Sequence, residues 1–139
     1  MKKSSLVLSI LLSLFAITIL TQCGKPAPAV SKSTSIGIVI YSNDVETVWN
    51  AIRFADFSKN QGDTVTIFLL GKGVELENLA KSDTNVKEQT NKFLESGGLI
   101  LGCGTCLKSR NNTDPQVCKF SSLKDLYEIV RKNKIVMTF

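Results

Sequence analysis

Short apolar runs alternate along this chain with segments that have helical periodicity. The runs 36–41 and 64–70 are rich in Ile, Val and Leu, and they are too continuous for strands with one solvated face. Run 98–101 predicts a third buried strand, and run 134–139 a final one. The segment 116–120 is either a short strand or a packed loop. The pattern therefore predicts parallel strands near the centre of a sheet.

Between these runs, apolar residues recur at the three- and four-residue spacing of helices. The starts of three helices are predicted as capping boxes: Asn43 with Glu46, Asn85 with Glu88, and Ser122 with Asp125. The predicted buried stripes are Val45, Val48, Trp49, Ile52 and Ala55 in the first helix, Val86, Phe93 and Leu94 in the second, and Leu123, Leu126, Tyr127 and Val130 in the third. Segment 74–83 is predicted to be a loop with short helical character.

Strands that alternate with helices through short connections favour right-handed crossovers. The expected fold class is therefore α/β, with a doubly wound, mainly parallel sheet of about five strands in three layers. Residues 36–139 are enough for a single domain with one hydrophobic core.

The N-terminus has the pattern of a bacterial export signal. Lys2 and Lys3 precede an apolar segment, 6–20, and Leu-Thr-Gln-Cys at 20–23 resembles a lipobox. We expect a lipoprotein-like signal peptide at 1–22, lipidation of Cys23, and a flexible tether at 23–35. An uncleaved anchor and an ordinary signal peptide cut elsewhere are the alternatives. All three predict a domain outside the cytoplasm, in the bacterial cell envelope.

The charge balance argues against nucleic acid as a partner. Four of the 17 Lys and Arg residues precede residue 36, which leaves 13 against 12 acidic residues in the domain. Phosphate recognition needs a basic face, and this nearly neutral domain has no cluster of Lys and Arg in its sequence that would form one.

The candidate chemistry lies in Gly-Cys-Gly-Thr-Cys at 102–106, directly after the third predicted strand. Ligands and reactive groups collect at the carboxyl ends of parallel strands, where backbone N–H groups can stabilise a thiolate. Cys103 and Cys106 are thus candidate reactive thiols, and Lys108 and Arg110 supply nearby cations or are simply solvated. A structural disulfide or a pair of inert thiols is the other interpretation. Asn43, which follows the first strand, either lines the same edge or only caps a helix.

Other kinds of site are less well supported. The chain has no His, which removes a Cys-His dyad and any zinc site with His ligands. A zinc site from Cys103, Cys106 and Cys118 would need a fourth ligand, so no metal and no cofactor is expected. Cys118 is interpreted as a packed thiol, or else as a resolving thiol. Gly71 and Gly73 form a tight turn that could cradle an anion.

Four segments together resemble the DsrE/DsrF-like family, which includes the TusD-type sulfur carriers. They are Gly-Ile-Val-Ile at 37–40, Phe-Leu-Leu-Gly-Lys-Gly-Val at 68–74, the stretch 99–110 with its Cys-Gly-Thr-Cys and Arg, and Asp-Leu-Tyr-Glu-Ile-Val at 125–130. The resemblance implies a flavodoxin-like fold, assembly into homotrimers or homohexamers, and a cysteine that carries persulfide sulfur. Counted back from Arg110, Cys103 occupies that cysteine's place.

The sequence therefore predicts a small sulfur-relay carrier or thiol-redox protein, whose partners are a sulfur donor and acceptor, either protein or small molecule. Whether it acts as an enzyme, a sulfurtransferase, stays open. The alternative is a non-enzymatic oligomeric binding or scaffold module with structural cysteines. In an oxidising compartment Cys103 and Cys106 can close into a disulfide, so their redox state decides the function.

Overall fold

Five parallel strands form one sheet in the order β4-β3-β2-β1-β5 in the computed structural model, which describes residues 32–139. The strands are β1 Ser35–Ile40, β2 Thr64–Leu69, β3 Leu99–Cys103, β4 Lys119–Ser121 and β5 Ile135–Thr138. Every neighbouring pair is parallel. The fold is a flavodoxin-like α/β fold, as predicted, and the segment 116–120, left open between strand and loop, is a loop at 116–118 that leads into the short strand β4.

The helices are α1 Val45–Asn60, α2 Leu76–Ser82, α3 Thr84–Glu95, α4 Gly104–Lys108 and α5 Leu123–Lys132. A 3₁₀ turn, Gly71–Glu75, leads from β2 into α2. The predicted loop at 74–83 is therefore helical over most of its length. The short helix α4 begins directly after Cys103.

The direction of the crossovers separates the helices onto two faces of the sheet. From β1 to β4 the chain steps one way across the sheet, so right-handed crossovers put α1 to α4 on one face. The step from β4 to β5 runs back across the sheet and puts α5 on the other face. There Ile129 packs so closely on Gly37 that a Cβ at Gly37 would lie 2.5 Å from the Ile129 Cγ2.

The core lies between the sheet and the helices. Its largest fully buried side chains are Phe68, Phe93, Ile38, Ile40, Ile52, Ile67, Leu69, Leu76, Ile100, Leu107, Val48 and Val86. Burial of these apolar groups is the main driving force for this arrangement.

Two of the three predicted capping boxes are wrong. Asp44 rather than Asn43 caps α1, because its carboxylate accepts the Thr47 N–H at 2.8 Å. Asp83 rather than Asn85 caps α3, where its carboxylate accepts the Val86 N–H at 2.9 Å. The capping carboxylate lies one residue after the predicted cap in α1 and two residues before it in α3, and in each case it reaches a free N–H group of the first turn. The capping box of Ser122 with Asp125 at α5 is confirmed.

The predicted buried stripe of α5 is wrong in most of its members. Leu123, Tyr127 and Val130 are 70%, 62% and 51% exposed, whereas Ile129 is buried. The reason is tertiary: α5 rests on the sheet through Ile129 and Leu126, and its remaining apolar positions face outward. In α1, Val45 is likewise exposed, at 40%. The other predicted members of the α1 and α3 stripes are buried or pack against the core.

The sheet begins slightly before the predicted first strand. Ser35 belongs to β1, and the backbone N–H of Thr34 donates to the Asp63 carboxylate at 2.8 Å. Within residues 32–139, no helix is long and apolar enough to span a membrane. The predicted signal peptide, the lipidation site Cys23 and most of the tether lie outside the described residues.

Candidate functional site

The two predicted reactive cysteines lie together at the carboxyl edge of the sheet. Cys103 is the last residue of β3 and the N-cap of α4, and Cys106 follows within that helix. Both are free thiols within hydrogen-bonding reach of each other. Cys103 is only 6% exposed, whereas Cys106 is half-buried and more open to solvent. Such a pair can form a disulfide or pass a group from one sulfur to the other.

The glycines on either side of Cys103 are required by close packing. A Cβ at Gly102 would lie 2.6 Å from the Cys118 sulfur and 2.9 Å from the Leu107 Cδ1. A Cβ at Gly104 would lie 3.1 Å from the Ser121 carbonyl oxygen. Both glycines therefore serve close packing at the strand end. In the structure they allow the chain around Cys118 and β4 to approach the strand end.

The turn after β2 supplies a hydrogen-bond donor to the site. Gly71 has a φ of +56°, in the left-handed region that glycine adopts easily, and its backbone N–H is close enough to the Cys106 thiol to act on its pKa in the lowering direction. Gly73 packs on the end of β1, because a Cβ there would lie 2.0 Å from the Ile40 carbonyl oxygen. The predicted tight turn is thus a 3₁₀ turn, and Gly71 links it to a thiol.

A network of polar side chains joins the ends of three neighbouring strands beside the cysteines. The Arg110 Nε donates to the Glu75 Oε1 at 2.7 Å, and the Asn43 Nδ2 donates to the Glu75 Oε2 at 2.9 Å. Arg110 also donates through Nη1 to the Cys106 carbonyl oxygen at 3.2 Å. Asn43 thus lines the edge of the site instead of capping α1. Lys108, the other predicted cation, is exposed on α4.

Glu75 was missed by the sequence analysis. Its signal in the sequence is weak, since it is one acidic residue among several in 74–83. The available clue was its position just after the Gly-Lys-Gly turn of β2, a central strand. A side chain there reaches the same sheet edge as the cysteines.

The electrostatics of the pair combine opposing effects. Burial raises the pKa of the Cys106 thiol, and the hydrogen bond with Cys103 raises it further. The Gly71 N–H and the Arg110 charge act in the other direction, because both favour the thiolate. Hydrogen bonds from Arg110 and then Asn43 hold the pKa of Glu75 below its ordinary value. Glu75 is therefore an ionised partner of Arg110 at neutral pH.

Cys118 behaves as a packed thiol. It is buried just before β4, and burial, with a smaller contribution from the Glu77 charge, raises its pKa to about 11. In the part of the chain that the structure describes, no three His, Cys, Asp or Glu side chains are arranged to hold a metal ion.

Two clefts lie near the site. A polar cleft of about 210 Å³ borders Arg110 and runs along α2, where its lining includes Glu75, Glu77 and Lys81. The other cleft, of about 340 Å³, is bordered by the first turns of α1 and α3 and contains Trp49. Trp49 packs against the core and carries the Arg53 guanidinium 5.0 Å from its ring centre, which favours a packing role for this ring.

The parallel sheet, together with the pair of free thiols at the end of its third strand, defines a doubly wound α/β domain with a dithiol site. Residues 34–139 match the DsrE/DsrF-like family, and the chain belongs to that family. It is similar to the uncharacterized protein MJ0989 of Methanocaldococcus jannaschii, at 31% identity over 103 residues, which cover 68% of this chain and 88% of that protein.

Two solved structures have the same fold. The YchN protein of E. coli gives a TM-score of 0.63 at 18% identity and covers 77% of this chain and 99% of its own. The conserved protein of unknown function BT1422 from Bacteroides thetaiotaomicron gives 0.63 at 22% identity, covering 76% of this chain and 95% of its own. At these identities the likeness concerns the fold alone.

Proposed function

We propose that this protein is a persulfide carrier of the TusD type, in which Cys103 holds the transferred sulfur and Cys106 resolves it. The observation that carries the proposal is the pair of free, adjacent thiols at a strand end in a chain of the DsrE/DsrF-like family. Family membership makes a sulfur-relay or redox role the natural starting point. The roles of the individual cysteines are our assignment.

Loading is a thiolate substitution at sulfur. The Cys103 thiolate attacks the outer sulfur of a persulfide donor, a new S–S bond forms on Cys103, and the donor leaves as its own thiolate. The bound sulfur can then pass by the same reaction to an acceptor thiolate. No external oxidant is consumed, because the sulfane sulfur keeps its oxidation state throughout.

Cys106 provides a second outcome. Its thiolate can attack the Cys103 sulfur of the persulfide, which forms the Cys103–Cys106 disulfide and releases hydrosulfide. The two cysteines are oxidised by two electrons in this step, and the sulfane sulfur is reduced by two. A dithiol reductant must then reset the pair. The Gly71 N–H and the Arg110 charge support this step because they stabilise the attacking Cys106 thiolate.

We further propose that the carrier works in the cell envelope, tethered to the membrane through a lipid on Cys23. The support is the sequence pattern at 1–23. In an oxidising compartment the resting form is then the disulfide, unless a dithiol donor keeps the pair reduced. Reduction and sulfur loading are therefore linked.

The test is mass analysis of the full-length protein after reduction and exposure to sodium polysulfide. We expect the wild type to gain one sulfur atom and then lose it as the disulfide forms. Cys106→Ser should keep the added sulfur, because no neighbouring thiol can expel it. Cys118→Ser is the matched control and should behave as the wild type.

The assignment of Cys103 fails if Cys103→Ser still gains one sulfur atom. If none of the proteins gains sulfur and the reduced pair only closes into a disulfide that adds stability, the alternative of an envelope scaffold module is correct. The exposed apolar positions of α5 favour that second candidate, because they offer a surface for assembly.

That same surface supports our proposal that the protein is a homo-oligomer. Leu123, Tyr127 and Val130 lie at positions i, i+4 and i+7 of α5 and form one exposed apolar stripe. On the edge strand β5, Val136 is 38% exposed, and it pairs with Gly37, whose α-carbon faces Ile129 of α5. Exposed apolar side chains grouped on one helix in this way are unusual on a monomer and fit a second copy of the chain.

A further inference from the structure

Glu75 occupies a special position among the acidic residues of this domain. It ends the 3₁₀ turn that follows β2, and its side chain is 29% exposed. Its two carboxylate oxygens bind different partners, with Arg110 on Oε1 and Asn43 on Oε2. One carboxylate thereby joins the segments that follow β1, β2 and β3, next to the thiol pair.

Arg110 needs such a partner to stay beside the thiols. It follows α4, its side chain is 32% exposed, and a free arginine at the surface samples many rotamers. In the structure its Nε is held by Glu75 at 2.7 Å, while its Nη1 reaches the Cys106 carbonyl oxygen at 3.2 Å. A charge held in one place in a partly buried site acts more strongly than one that moves in water.

We propose that Glu75 is a positioning residue, which holds the Arg110 guanidinium beside Cys106 and thereby sets the reactivity of the thiol pair. This proposal rests on the assignment of Cys103 and Cys106 as the reactive thiols. Glu75 does not touch either sulfur. It acts through Arg110, which distinguishes it from a group that takes part in sulfur transfer.

Several groups surround the Cys106 thiol and contribute to its titration. Cys103 faces it from β3, the Gly71 N–H from the 3₁₀ turn, and Arg110 from the end of α4. Lys72 acts on Glu75 and adds a second positive charge at this edge. Of these charges, Arg110 is the one that favours the Cys106 thiolate, so its release from Glu75 disfavours that thiolate.

The experiment measures the rate of iodoacetamide alkylation at each cysteine as a function of pH, on the reduced full-length protein, by peptide mass analysis. For Glu75→Ala we expect alkylation of Cys106 at pH 7 to slow by about two- to fivefold, with its pH profile displaced to higher pH. Glu75→Asp keeps the charge and should return the profile toward that of the wild type.

Glu77→Ala is the matched control. Glu77 lines the same cleft and is also paired with a cation, Lys81, at 2.9 Å, but its charge acts on Cys118. This variant should leave the Cys106 profile unchanged and make Cys118 react faster. The comparison separates an effect of Glu75 on the thiol pair from a general loosening of the domain.

A double-mutant cycle tests whether Glu75 acts through Arg110. Arg110→Ala alone should slow Cys106 about as much as Glu75→Ala, and the double variant should be no slower than Arg110→Ala. The proposal is overturned if Glu75→Ala leaves the Cys106 profile unchanged or moves it to lower pH. Additive effects of the two substitutions also overturn it.

The alkylation assay uses no sulfur donor, so its result is independent of sulfur loading. If the wild type fails to load sulfur and Glu75→Ala still shifts the profile, the pair is a thiol-redox site that Glu75 tunes. If loading succeeds and the profile does not move, the carrier function stands and only the role of Glu75 falls.

Discussion

At the scale of single residues, position 73 requires glycine for steric reasons alone. A Cβ added at Gly73 would lie 2.0 Å from the Ile40 carbonyl oxygen, so the turn would have to move away from β1. We expect Gly73→Ala to lower the free energy of unfolding by about 2–3 kcal/mol, measured by urea denaturation.

Gly62 is the comparison for that experiment. A Cβ at Gly62 meets nothing within 4 Å, but its φ is +93°. Gly62→Ala should therefore lower the free energy of unfolding by only about 1 kcal/mol, because the alanine would be strained at this backbone conformation. Equal losses for the two variants would contradict the steric explanation of Gly73.

Cys118 gives a prediction about pH. Its pKa is raised from 9.0 to about 11 in the folded protein, so folding favours the neutral thiol. The neutral Cys118 thiol therefore makes its full contribution to the free energy of unfolding below pH 9, and this contribution is lost as the pH rises through 11. Between these values the stability difference between wild type and Cys118→Ala should narrow by up to about 2 kcal/mol in urea denaturation.

Tyr and Lys residues titrate in the same range, so the measured quantity is the difference between the two proteins. A difference that stays constant from pH 8 to pH 11 would show that the Cys118 environment does not penalise the thiolate.

At the scale of elements, the start of α5 depends on its capping box. The Ser122 hydroxyl and backbone N–H donate to the Asp125 carboxylate at 2.8 and 2.9 Å. Ser122→Ala should reduce the free energy of unfolding by about 1 kcal/mol, measured by thermal denaturation. Lys124→Ala, at an exposed position in the same turn, is the control. An equal loss there would argue against the capping role.

The elements also show how far the local sequence predicts where the strands and helices begin. The parallel strands, three of the helices and the strand-end position of the cysteines follow from runs, periodicity and turn residues, whereas the order of the strands and the helix at 76–82 do not. The helix starts at Asp44 and Asp83 do not, because several neighbouring polar residues can each cap a first turn. The choice between them depends on how the chain enters the helix from the preceding strand or helix.

At the scale of the whole molecule, the apolar stripe of α5 predicts association. Tyr127→Glu places a charge in the middle of this stripe, and burying it at an interface would be costly. We expect the wild type to be oligomeric and Tyr127→Glu to be shifted toward the monomer, as measured by light scattering after size-exclusion chromatography.

Phe57→Glu is the matched control, because Phe57 on α1 is 61% exposed and lies outside the α5 stripe. It should leave the oligomeric state unchanged. A monomeric wild type would contradict the proposal, and so would an equal effect of the two variants.

The sequence by itself determined the α/β class, the parallel sheet and the cysteine pair at the end of β3. These features follow from local hydrophobic pattern and from the chain direction that parallel strands share. Only the tertiary structure decided that Asn43, Glu75 and Arg110 meet beside Cys106, because they come from three segments far apart in the chain. It also decided which side of α5 faces outward, since periodicity defines an apolar stripe but not what will cover it.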